Sequence, residues 1–160
     1  MSLVSLSDDA QSFSDERGSL NILFESHGIS LKRSHSIKNV FRGMHWQGFP
    51  YHQIKLIRVI EGEIIDFIVD MTNFKQGIHS TTLHPSKGWQ MVPANYAHGF
   101  YTITNCVFEY FCIGDYKEEA EISFSILDFL EKEHGVINPM MSFKDSNNMS
   151  FNEVTSKSWK

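Results

Sequence analysis

Residues 41–59, FRGMHWQGFPYHQIKLIRV, read as a strand, a short Gly/Pro break and a second strand, with ionisable groups where a plain hairpin would carry aliphatics. A turn at 48–52 would bring His45 and Lys55 close across a hairpin, both aimed into one cavity. Arg42 has the opposite parity to His45, and a bulge at Gly43 would bring the two to the same side, a device common beside active sites. The plainer alternative leaves His45 as a satisfied polar residue and Lys55 snorkelling to solvent.

Working outward, further β-type runs fill the middle of the chain: EIIDFIVDM, HSTTLHP, GWQMVPA, HGFYTIT and CVFEYFCIG, broken by EGE, NFKQG and PSKG. Short strands at this spacing predict an all-β barrel or sandwich of antiparallel hairpins. In EIIDFIVDM the polar face carries Asp66 and Asp70 and the apolar face Phe67 and Val69, the pattern of a half-buried strand. FSILDFLEKEHG, 124–135, is the one convincing helical stretch, closed by Gly135. The tail beyond about residue 146 is polar and expected to be loosely held, and the first residues are expected to be flexible and carry no functional weight. With no internal repeat and no linker, residues 1–160 read as a single domain.

At 160 residues and 18.5 kDa the chain can bury a core without staples. A formal charge of −5 and a pI near 5.9 argue against a nucleic-acid coat, though a local basic pocket for a small anion remains compatible with them. No apolar run approaches the roughly 20 residues that span a bilayer. The two cysteines, Cys106 and Cys112, share one extended segment and are read as free thiols in a reducing, cytoplasmic setting.

VPANYAHGFYTIT adds a second histidine: Pro93 and Asn95 make a turn that delivers His98 at the start of a strand. Two histidines on separate hairpins suit a metal centre or an acid/base site. A metal wants three or four ligands. Gln47 stands two residues after His45, no carboxylate follows on the strand from Gln53, and the Lys55 ammonium would repel a divalent cation, so the acid/base reading is preferred.

The ordered segments FSDERGSL, SHSIKNVFRGMHWQ, HQIKLIRVIEGEIIDFIVDMT, VPANYAHGF, FEYFCIGDY and MSFKDSN resemble, from about residue 13 to 148, the successive motifs of the dTDP-4-dehydrorhamnose 3,5-epimerase family of the cupin superfamily. The resemblance implies a jelly-roll, cupin-like antiparallel β barrel with a short C-terminal helical segment, usually a homodimer. It implies an isomerase that inverts C3 and/or C5 of a nucleotide-linked 4-keto-6-deoxyhexose, with no metal and no organic cofactor, in deoxysugar and polysaccharide synthesis.

Such a reaction removes a weakly acidic C–H beside a ketone, so it needs a base, a partner for the enolate oxygen and an acid on the other face. By resemblance, His45 matches the base, Asp145 the carboxylate that orients it, Lys55 the enolate partner and Tyr110 the acid. Arg17 and Arg42 match diphosphate contacts, and Gln47, His98 and Tyr116 match pocket-lining positions. The chain departs from the family at Leu20 and Ile22, where an aromatic and an acidic residue are usual, and at Lys32 and Arg33, in a stretch that usually offers amides. The alternatives on the same scaffold are a 3,4-ketoisomerase, disfavoured by Gln47 where that group tends to carry histidine, and a non-catalytic sugar- or metal-binding cupin.

Overall fold

The structure, a computed structural model, describes residues 11–159. The flexible start expected of the opening residues, MSLVSLSDDAQS, falls almost wholly on residues 1–10, which lie outside the described residues.

Among the described residues, twelve strands run Ser12–Asp15 (β1), Gly18–Ser26 (β2), Ile29–Ser36 (β3), Phe41–Gln47 (β4), Ile54–Glu61 (β5), Ile64–Asp70 (β6), Ile78–Leu83 (β7), Gln90–Val92 (β8), Tyr96–Thr102 (β9), Cys106–Ile113 (β10), Glu121–Ser125 (β11) and Met149–Ser150 (β12). Three short helices, Leu127–His134 (α1), Phe143–Ser146 (α2) and Phe151–Thr155 (α3), occupy the C-terminal part. The strands form two sheets of six, ordered β1-β2-β3-β10-β5-β8 and β12-β11-β4-β9-β6-β7. The jelly-roll expectation holds, with the correction that the two sheets face each other without closing into a continuous barrel. Local chemistry sets the joints: β2 and β3 meet in a two-residue turn at His27 and Gly28, both at positive φ as a primed hairpin turn requires.

Two clusters of side chains hold the sandwich. Between the sheets pack Ile57, Val59, Ile64, Leu83, Val92, Phe100, Cys106 and Phe108. Behind the second sheet, Phe41, Phe67, Val69, Ala97 and Phe124 pack against Ile126, Leu130 and Val154 from the C-terminal part. β6 is therefore buried on both faces rather than half-buried, because the C-terminal segments cover the side that would otherwise meet water.

Two further expectations change. Phe124 and Ser125 end β11, and the helix starts only at Leu127, since parallel pairing with Met149 and Ser150 of β12 holds those two residues extended. The tail is not loose: α3 opens with a capping box between Ser150 and Glu153, Val154 is fully buried, and the Trp159 indole donates to the Val154 carbonyl at 3.0 Å.

Candidate active site

The hairpin expected at 41–59 does not form. β4 pairs with β9 and β11 in one sheet, and β5 with β10 and β8 in the other, so residues 48–53 cross from sheet to sheet. His45 and Lys55 nonetheless share a cavity, because they look at each other across the sandwich instead of along a ladder. That cavity, about 410 Å³, is also lined by Arg17, Arg42, His98, Tyr110, Tyr116 and Asp145.

The bulge does occur. The β4–β9 register shifts between Arg42 and His45, and Gly43 sits at φ +121 with its backbone against Gly99. Arg42 is thereby turned inward, where its Nε donates to the Ser36 hydroxyl at 3.0 Å. Burial, then the neighbouring Arg17, lowers its pKa, yet a guanidinium stays charged through such shifts.

His45 Nε2 lies 2.8 Å from Asp145 Oδ1. A carboxylate only accepts, so Nε2–H is the donor and the lone pair is left on Nδ1. Asp145 is 3% exposed at the start of α2, whose N-cap Ser142 accepts the Asp145 amide. Burial alone would raise its pKa, but the bond from His45, the Ser142 hydroxyl and the Gly43 amide bring it below the ordinary carboxylate range. The dyad is built as an ionised acceptor holding an imidazole.

Lys55 and Tyr110 come from the facing sheet. Burial lowers the Lys55 pKa and raises that of Tyr110, so the phenol keeps its proton at neutral pH. Arg17, on the β1–β2 turn, is held by Asp15 and reaches within 4.0 Å of Asp145. His98 follows the turn in which the Tyr96 amide donates to the Pro93 carbonyl, as expected. It makes a second dyad, Nε2 to Asp66 Oδ1 at 2.6 Å, and its ring stacks on Phe108.

Gln47 is absent from the cavity lining. Its side chain is buried behind it, with Oε1 accepting the Lys117 amide at 2.9 Å, so it bears on the site through the segment that carries Tyr116. Sequence reasoning missed Glu121, Lys144 and Ser142 in the lining and Asp66 behind His98. Asp66 was findable from its parity with Ile64 and Ile68. Glu121 was hidden once the following residues read as helix; it bonds Lys144 and Tyr116, and these, with the charge of His45, outweigh burial and lower its pKa.

A family model described as dTDP-4-dehydrorhamnose 3,5-epimerase matches residues 8–153. The chain belongs to that family. Its members are epimerases, and the relatives bear the match out: the Shigella flexneri dTDP-4-dehydrorhamnose 3,5-epimerase is 31% identical over 171 residues, covering 87% of this chain and 86% of its own. Among solved structures, the Legionella pneumophila dTDP-6-deoxy-D-glucose-3,5-epimerase in complex with dTDP-4-keto-L-rhamnose shares 27% identity at TM-score 0.65, over 90% of this chain and 86% of that one. ChmJ, a 3'-monoepimerase from Streptomyces bikiniensis, reaches TM-score 0.70 at 20% identity, over 98% and 90%, a likeness of fold. Within the described part of this epimerase, no group of three or more His, Cys, Asp or Glu side chains is arranged to hold a metal ion, and no helix is long and apolar enough to cross a membrane.

Proposed function

We propose that the protein inverts C3, C5 or both of a dTDP-linked 4-keto-6-deoxyhexose, as a cytoplasmic homodimer serving deoxysugar and polysaccharide synthesis. The observation that carries the reading is the placement of His45, held by Asp145 of α2, on one sheet and of Lys55 and Tyr110 on the other, with the cavity between them. Inversion requires a proton to leave one face of a carbon and another to arrive at the opposite face, and the two sheets supply one group each.

In the first step His45 takes the proton beside the ketone and becomes an imidazolium held by Asp145, while the C–H electrons move into the carbonyl to give an enolate. The Lys55 ammonium holds the enolate oxygen, and enclosure strengthens that contact. Tyr110 then delivers its proton to the carbon from the other face. His45 loses a proton to solvent and the tyrosinate regains one, so nothing is consumed. Arg17 and Arg42 hold the diphosphate, and Tyr116 and His98 line the path to it.

The dimer reading is supported by the outer face of the first sheet, where Ile29, Ile54, Trp89, Met91 and Ile113 are exposed around the Arg33–Glu109–Arg58 cluster. The cytoplasmic reading is supported by two cysteines that remain thiols. The test of the reaction is NMR of dTDP-4-keto-6-deoxyglucose before and after incubation: altered ring couplings at C3 or C5 with the ketone still at C4 are expected. A carbonyl moved to C3 would instead make the protein a ketoisomerase, and unchanged sugar would overturn the reading.

A further inference from the structure

Lys32 and Arg33 are consecutive on β3, and the alternation of the strand sends them to opposite faces. Arg33 points outward, where it and Arg58 each place two nitrogens on the Glu109 carboxylate at 2.5–2.9 Å. Glu109 is 3% exposed, so this cluster is part of the fabric of the sheet.

Lys32 takes the other direction. It sits directly across from Tyr110 on one neighbouring strand and Ile22 on the other, two residues before Ser34, which lines the cavity. Its ammonium lies 5.8 Å from the centre of the Tyr116 ring, within range for a cation over an aromatic face. Among the described residues no carboxylate lies within 4.0 Å of it. Asp15 is taken by Arg17 and Glu121 by Lys144. Its partner on β2 is the apolar Ile22, Leu20 stands one pair further along beside Ser34, and the Lys32 charge already opposes the ionisation of a second cation, Lys55. Like charges held together beside apolar side chains are unfavourable in the empty protein and become favourable when an anion sits between them.

We propose that Lys32 is a specificity-determining residue, binding an anionic oxygen of the substrate at the rim of the cavity beside Tyr116. The inference rests on the epimerase reading and deepens it. Two sources of that oxygen share the chemistry: the diphosphate of the carrier, and a carboxylate on the sugar ring.

Calorimetric titration separates them, using dTDP, thymidine, UDP-glucose and UDP-glucuronic acid against the parent protein, Lys32→Gln and Lys32→Arg, each shown to melt like the parent. If the diphosphate is the ligand, Lys32→Gln weakens dTDP about tenfold or more, leaves thymidine unchanged, and Lys32→Arg restores dTDP. If a sugar carboxylate is the ligand, the parent prefers UDP-glucuronic acid to UDP-glucose by about tenfold or more, and Lys32→Gln abolishes that preference. Affinities that are the same in parent and Lys32→Gln for every ligand would overturn the role of Lys32 while leaving the epimerase reading intact. A parent protein that binds none of the nucleotides would overturn both.

Discussion

His45, Asp145 and Lys55 show how burial is set against function at single positions. Asp145 is buried and kept ionised by three donors, so the histidine it holds is fixed in one tautomer before substrate arrives. Lys55 is compensated only in part: burial lowers its pKa, the more distant charges of Glu121 and Asp66 do not offset it, and no carboxylate lies within 4.0 Å among the described residues. Its folded value is below its unfolded one, so the unfolded chain binds the extra proton in the window between them. The destabilising effect is present in full below the folded value and fades as pH rises towards 10.5. Two outcomes follow for Lys55→Met: turnover falls by roughly 10²–10³-fold, as for removal of one oxyanion partner, while the melting temperature at pH 7 rises. For the parent, kcat should fall on the alkaline side at a lower pH than an ordinary lysine would give. A Lys55→Met protein that is less stable than the parent at pH 7 would contradict the burial argument.

At the scale of elements, the bulge in β4 sets the site, because it turns Arg42 and His45 to the same side. A Cβ at position 43 would fall 2.6 Å from the Gly99 Cα and 2.9 Å from the His98 carbonyl oxygen, at a φ of +121 that side chains rarely adopt. Gly43→Ala is therefore expected to cost about 2 kcal/mol or more of stability, measurable by urea unfolding, and to depress turnover by shifting both β4 and β9. This feature was legible in the sequence as a conflict of parity between Arg42 and His45, with a glycine between them to resolve it. The strands from 54 to 113 were legible too, since Gly, Pro and Asn punctuate them. What one strand's alternation could not show was which sheet it joins. His45 and Lys55 read as hairpin neighbours and are partners across the sandwich. The polar residues of β6 read as solvent-facing, yet Asp66 is taken by His98, and Asp70 by Thr72 and Asn95, so both are buried with their bonds made. The tail read as loose because its polar residues outnumber its anchors, but Val154, Phe151 and Trp159 are enough to dock it.

For the whole molecule, the two faces of the sandwich are unequal. The second sheet is covered by the C-terminal segments, while the first leaves Met91 64% and Trp89 42% exposed on its outer side, with Arg58 stacked 4.5 Å from the Trp89 ring centre. A second copy of the chain is the proposed cover. Light scattering should give roughly twice the 18.5 kDa of one chain, and Met91→Glu, placing a charge in the middle of the apolar face, should shift the mass toward a monomer; a parent that is monomeric at micromolar concentration would contradict the dimer. On the proposed reading, the cavity between the sheets exchanges a carbon-bound proton beside a ketone with solvent through His45. Proton NMR of dTDP-4-keto-6-deoxyglucose in deuterated water tests it most directly. The C3 or C5 signal should disappear with the parent protein and persist, exchanging roughly 10²–10⁴-fold more slowly, with His45→Ala. Exchange as fast in folded His45→Ala as in the parent, or no exchange with the parent at all, would contradict the account.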